Sequence, residues 1–392
     1  MKCEQRRPLV IIDFQRLMAA TVLGVLLVLN WVPAVGAQEP FEEHYSEAVV
    51  INIIESSSEQ IDPDNWIVEQ EIEVRLVSGE YQGETIIAKN SLSGTKGMDI
   101  ELKPGDRVIV YSAVQDNVIQ ESYIAERVRA PFLKYFVLFF ALVLVAVGGV
   151  QGIKALVGLG FTMAGIYYIL LPALLKGYAP LPITIAVLIG VTFFTMVVIA
   201  GFSRKAAAAT LGTLGGLLVA GFLAVLVGDL AALQGLGTEE ERILSMVDLP
   251  LDMRGLLFAG ILIGAVGAVM DVAMSISSAI EEVHIANPDL GSWELVRSGM
   301  RVGRDIMGTM ANTLILAYTG GSLPFLLLYL AYELPPAMIL NSELIGAEVI
   351  RALAGSIGLI VSVPITAVIA GLLNRSNIGE GYERNTPEKL GL

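Results

Sequence analysis

From residue 133 onward the chain consists of long apolar blocks joined by short polar links, a pattern that few architectures accept. The blocks run at about 133–152, 155–175, 181–202, 206–232, 255–281, 306–332 and 346–373, each near or above the ~20 residues a helix needs to cross a bilayer. An eighth block, Met18 to Val35, comes after a basic start containing Lys2, Arg6, Arg7 and Arg16. Small residues at Val35 and Ala37 resemble a signal-peptidase site. The segment therefore reads either as a cleaved signal peptide or as a retained first helix, and in both cases residues 38–131 are exported. Only 16% of the residues are charged, against about 25% in ordinary soluble domains. The pattern predicts a polytopic α-helical membrane protein with about eight transmembrane helices, seven if the first is removed. The lipid bilayer is its first partner.

Residues 38–131 differ from the rest. Residues 39–129 hold 19 acidic and 7 basic side chains, so −12 of the net −14 lies there. That balance excludes nucleic-acid binding, which needs a basic face. Strand signals occur at Ala48-VVINII, Gln70-EIEVRLV, Glu84-TIIAK and Asp106-RVIVYSAV, with turn pairs such as Ser78-Gly79 and Pro104-Gly-Asp106 between them. Five or six short strands in this length suggest a small OB- or SH3-like barrel lying between helices 1 and 2. The division is then 1–37, N-terminus with first helix or signal; 38–131, β domain; 132–375, seven-helix domain; and 376–392, a polar tail expected to be disordered.

Lys/Arg placement sets orientation. The N-terminus, Lys154, Arg204-Lys205, the segment 283–304 and the C-terminal tail are predicted to be cytoplasmic, and the β domain extracytoplasmic, in a bacterial cytoplasmic membrane. Cys3 is the only cysteine, and His44 and His284 are the only histidines. No metal or cofactor is expected, although a carboxylate-only Ca²⁺ or Mg²⁺ site is not excluded by this count. No HExxH, Walker or nucleophile-elbow pattern is found, so the chain is not expected to be an enzyme.

The most informative residue within the spans is Asp271, in Gly255-LLFAGILIGAVGAVMDVAMSISSA-Ile280. A carboxylate at mid-bilayer costs several kcal/mol, with estimates from ~3 upward, unless water or a partner compensates. Gly260, Gly264 and Gly267 precede it at helical spacing, as a surface for close helix packing. Ser275, Ser278 and Glu282 continue the same face. Glu281 and Glu282 end the helix against its macrodipole, which calls for a basic partner, with Arg297, Arg301 and Arg304 as candidates. Ser292-WELVRSGMRVGR-Asp305 reads as a short amphipathic helix lying in the interface. The next span places Asp305, Thr309, Asn312 and Thr313 on one face, with Gly308 for close contact. Its Tyr318-Thr-Gly-Gly-Ser-Leu-Pro324 segment should break the helix. If these two helices are antiparallel neighbours, Asp271, Ser275, Thr309 and Asn312 overlap in depth as a proton or cation relay. Weaker signals are Asp229, the spaced pair Glu348 and Arg351, a kink at Pro364, and the Gly212/Gly215/Gly216/Gly221 surface.

The run GAVGAVMDVAMSISSAIEEV, then NPDL, SGMRVGRDIMGTMANTLILAY and GGSLP (Gly264 to Pro324), together with an exported β domain, resembles the YibE/F family over roughly residues 45–375. That resemblance implies the topology and a permease-like role. A more distant, fold-level similarity to SecD/SecF and RND membrane domains, whose large periplasmic domains are missing here, implies proton coupling.

The expected function is a secondary transporter or permease acting on an unidentified small solute or ion. It would be coupled through Asp271, with Ser275, Ser278, Thr309, Asn312 and Thr313 along the path. The alternative is a non-transporting scaffold or assembly factor whose β domain binds an envelope protein. The sequence does not fix the oligomeric state.

Overall fold

The computed structural model describes residues 42–62, 65–93, 99–115 and 118–374. The Met18–Val35 block and the tail after 374 lie outside them. The chain forms two compact units, residues 1–143 and 144–392.

The first unit holds a closed five-stranded barrel: β1 (Glu42–Asp62), β2 (Asn65–Leu76), β3 (Thr85–Leu92), β4 (Arg107–Gln115) and β5 (Val118–Arg127), in the order β1-β2-β3-β5-β4. All pairings are antiparallel except β3 with β5. Closure relies on β1, which pairs with β4 along its first half and with β2 from Ala48 onward. Register shifts at Val50/Asn52 and Ile53/Glu55 let this long strand bend around the barrel. Alternate residues of the strands fill the interior: Ala48 and Val50, Ile72 and Val74, Ala88, Val108 and Val110. Gly105, at φ +93, turns the chain into β4 and donates its N–H to the Val50 carbonyl at 2.8 Å.

Helix α1 (Ala130–Ala164) passes from the first unit into the second. It continues through a π-helical turn, Gly165–Leu170, into α2 (Leu171–Leu175). The second unit then comprises α3 (Pro180–Ala200), α4 (Arg204–Leu230), α5 (Glu239–Met246), α6 (Met253–Ala286), α7 (Ser292–Gly321), α8 (Leu323–Ala331), α9 (Pro336–Leu340) and α10 (Glu343–Leu373). Among the described residues five stretches are long and apolar enough to cross a membrane, six if the bent pair α7–α8 counts as one. Residues 130–175 form one such stretch of 46 residues. Its interruption lies at Gly149 (φ 54, ψ −130), five residues before Lys154, where the charge pattern placed it. Beyond the break, Gly152 packs onto the Leu144–Val145 backbone.

Helix α10 is the centre of the second unit, packed on α4, α6 and α7. Its approach to α4 is backbone-close because both sides present glycine. A Cβ on Gly216 would stand 2.7 Å from the Gly358 carbonyl oxygen, and Gly212 lies directly against Thr366. The expected close-packing role of the α4 glycines is seen here. The core between α4, α6, α7 and α10 contains Leu262, Val269, Ile276, Leu295, Leu359 and Val363.

Two local expectations change. The segment 292–304 is not a separate interfacial helix but the first half of continuous α7. Gly299 and Gly303 let it lie on Ile280, Ala367 and Val363, so packing buries Leu295 and Val296 while Trp293 stays exposed. The break expected within Tyr318–Pro324 is present, as a 53° bend between α7 and α8. Pro324 tolerates this position because it sits in the first turn of α8, where its missing N–H costs no hydrogen bond.

Candidate functional site

Helices α6 and α7 are antiparallel neighbours joined by a short turn. Their contacts pair Ile280 with Gly299, Ile276 with Gly303, and Gly264 with the Tyr318 hydroxyl. Interpolating between these contacts puts Asp271 level with about residues 308–311 of α7, at the 1.5 Å rise per residue common to both helices. The depth overlap expected of Asp271, Thr309 and Asn312 is therefore present in the geometry.

The direction of the face is a different matter. The buried residues of α6, among them Leu262, Ala265, Val269, Val272 and Ile276, form one stripe against α4, α7 and α10. Gly260, Gly267, Asp271 and Ser275 lie on the exposed side, Gly264 is exposed at its edge with the Tyr318 hydroxyl against it, and Ser278 is half-buried. On α7 the same holds for Gly308, Thr309, Asn312 and Thr313. Among the described residues Asp271 has no hydrogen bond or ion pair. The Thr309 and Thr313 hydroxyls donate to their own helix, to the carbonyls of Ile306 and Thr309, each at 2.9 Å. The polar groups share a level but do not bond to one another, and the bundle interior does not enclose them.

Residues 136–376 match the family model described as YibE/F-like protein, and residues 43–126 match the YibE/F family N-terminal domain. The chain belongs to the YibE/F family. No curated protein and no solved structure matches it.

In this YibE/F chain the charges at the C-terminal end of α6 are arranged differently from what their spacing suggested. Glu281 pairs with Lys205, 3.3 Å away at the start of α4, and not with the arginines of α7. Ser277 reinforces the same junction by donating to the Lys205 carbonyl at 2.9 Å. Lys205 was visible in the sequence only as a loop charge, and nothing in its spacing pointed to α6. Glu282, Arg301, Arg304 and Asp305 lie outside this junction, and among the described residues none of them forms an ion pair. Glu343, which spacing did not single out, receives the backbone N–H groups of Gln234, Gly235 and Leu236 on one oxygen, at 2.7, 2.7 and 3.1 Å. Glu348 and Arg351 do pair, as their spacing of three allows, and the Arg351 guanidinium lies 6.0 Å from the Tyr318 ring centre. Arg254 pairs with Asp229 and reaches over Phe258. Among the described residues no group of three His, Cys, Asp or Glu side chains could hold a metal ion.

Proposed function

We propose that this YibE/F protein is a permease of the cytoplasmic membrane, coupled to protons or cations through Asp271. One observation carries the reading: an unpaired carboxylate midway along the apolar 34-residue helix α6, open at the level of Thr309 and Asn312. Facing hydrocarbon, that group would cost roughly 3 kcal/mol or more. A hydrated path along the α6–α7 face removes the cost and gives the carboxylate access to protons or ions, with Ser275, Ser278, Thr309, Asn312 and Thr313 as further oxygen and amide ligands.

Splitting residues 130–175 at Gly149 and adding Met18–Val35 gives about eight spans, each near the length a bilayer requires. Lys/Arg placement then favours cytoplasmic termini and an extracytoplasmic barrel. The parallel β3–β5 pairing supports an OB-type reading of that barrel, which in this account gates the path, binds solute or recruits an envelope partner.

The scaffold reading is favoured by a different observation. Gly260 and Gly267, on the Asp271 face, have no atom within 4 Å of where a Cβ would sit, so another helix could approach them closely.

Asp271→Cys, in a Cys3→Ser background, separates the two readings in native membranes. Rapid modification by a charged, membrane-impermeant thiol reagent is the result expected of a hydrated path. Reaction with a lipid-soluble maleimide alone would contradict it and favour the scaffold.

A further inference from the structure

One outward face of the closed barrel has an ordered composition. Tyr45 on β1 is the register partner of Tyr111 on β4, and Tyr111 that of Tyr123 on β5, so three tyrosines stand in one row across three adjacent strands. Their chain neighbours Ser46, Ser112 and Ser122 are buried inside the barrel, which turns the tyrosines outward. Tyr45 is 63% exposed, and its ring centre lies 5.4 Å from that of Tyr111. The rows on either side follow the same registers: Glu43, Ala113 and Glu121 on one, Glu47, Ile109 and Glu126 on the other.

The two flanks differ in charge. Glu47 pairs with Arg107 at 2.8 Å and Glu126 with Arg129 at 2.6 Å. Glu43 and Glu121 have no cationic partner among the described residues. Each accepts a phenol hydroxyl, Glu43 from Tyr111 at 3.2 Å and Glu121 from Tyr123 at 2.8 Å. Those bonds hold both carboxylates beside the rings. Adjacent strands are ~4.8 Å apart, so the backbones of Glu43 and Glu121 are separated by ~10 Å, with the small side chain of Ala113 between them. Lys89, the register partner of Tyr123 on β3, is engaged with Glu69 at 3.9 Å.

A single exposed aromatic side chain needs no explanation, but a contiguous row does. An aromatic centre with a charged rim is the composition of protein interfaces, where tyrosine is among the residues that contribute most. Small ligands take concave pockets, whereas this face is the convex outside of a closed barrel. Its chemistry selects the charge of the partner. Ring faces are electron-rich and attract ammonium and guanidinium groups, and two carboxylates without counter-charge add to that preference. Residues 39–129, with 19 acidic against 7 basic side chains, disfavour an acidic partner and steer a basic one.

We propose that the Tyr45–Tyr111–Tyr123 face is a docking surface for a basic segment of a partner protein, with lysine or arginine side chains on the rings and between Glu43 and Glu121. This rests on the reading that the barrel recruits a partner and is independent of ion coupling at Asp271.

The test is fluorescence anisotropy of a labelled heptapeptide of alternating lysine and serine, titrated with the full chain in detergent at low salt. No gradient is imposed, so this outcome and the ion-coupling outcome are read separately. The peptide should bind, and its counterpart with every lysine acetylated should bind at least tenfold more weakly. Glu43→Gln/Glu121→Gln, whose amide oxygens still accept the phenol hydroxyls, should weaken binding at least tenfold. Glu84→Gln/Glu101→Gln removes the same charge from exposed positions outside the face and should change it less than threefold. Tyr45→Leu keeps an apolar side chain without the ring and should weaken binding at least threefold. No binding to the wild type, equal losses in the two double variants, or equal binding of the acetylated peptide would each overturn the proposal. Free spermidine binding as tightly as the peptide would overturn it in favour of a small polyamine, and displacement of the peptide by an N-acetylglucosamine oligomer in favour of a glycan.

Discussion

Gly216 and Gly267 offer a matched pair of substitutions whose effects should have opposite signs. A Cβ at Gly216 would sit 2.7 Å from the Gly358 carbonyl oxygen, 2.8 Å from Ser362 Cβ and 2.9 Å from Val269 Cγ1. The first of these is backbone on α10 and the last is on α6, so no single side-chain rotation relieves the crowding. Overpacking of this kind costs about 1–3 kcal/mol, and alanine's helix propensity returns at most ~1 kcal/mol. At Gly267 nothing lies within 4 Å of the same position, so only the propensity gain operates. Gly216→Ala and Gly267→Ala should therefore differ by roughly 2 kcal/mol, the first destabilised and the second unchanged or slightly stabilised. For a unit of this size that separates the melting points by about 4–8 °C. The assay is loss of the monodisperse peak in a heated, detergent-solubilised sample. A Gly216→Ala protein melting with or above Gly267→Ala would refute the close α4–α10 approach. A large loss at Gly267→Ala would show that the Asp271 face is covered.

Individual contacts give three further expected outcomes. Glu343→Ala strands three backbone N–H groups and should cost about 1.5–3 kcal/mol in the same melt, whereas a loss under about 0.5 kcal/mol would mean that water replaces the carboxylate. Lys205→Gln should cost no more than about 1 kcal/mol, because the pair with Glu281 is partly exposed, and the difference should shrink in high salt. In the barrel, the hydrogen bond and charge of Arg129 hold the Glu126 carboxyl below the ordinary glutamate range. A lowered folded-state pKa means the contribution is present above the ordinary glutamate value and is lost as pH falls through the lowered one. Arg129→Gln should move the Glu126 titration upward, read from its carboxyl carbon shift, and an unchanged midpoint would exclude the pairing.

Much of the fold was legible because membrane helices need long apolar blocks and barrel strands need alternation. The expected strands at 48–54, 70–77, 84–89 and 106–114 fall on β1 to β4, with only β4 matched to within a residue at both ends; β1 extends well beyond both ends of its expected segment, β2 starts five residues earlier and β3 ends three later. β5 was not singled out, for a physical reason. Its inward Ser122 bonds to Ser112, its register partner on the adjacent strand β4, at 3.0 Å, and register shifts at Ile109/Val110 and Ala113/Val114 disturb the alternation around it. Periodicity grouped Gly260, Gly264, Gly267, Asp271 and Ser275 on one face, but it does not say which way a face points. Only the packing of Val269, Val272 and Ile276 against α4, α7 and α10 shows that the polar face is the outer one. The Glu281–Lys205 pair joins residues far apart in sequence, and no local spacing encodes it. The interruption at Gly149 was masked by Lys154, a charge that resembles a turn but donates to the Ile199 carbonyl at 3.2 Å.

The central claim is that Asp271 couples ion movement to this protein. Its most direct test is proton and cation flux into proteoliposomes containing wild type or Asp271→Asn, with both proteins shown to be folded and equally reconstituted. The account predicts flux in the wild type that disappears in the variant. Equal flux in both, or none in either under imposed gradients of both protons and cations, would contradict it.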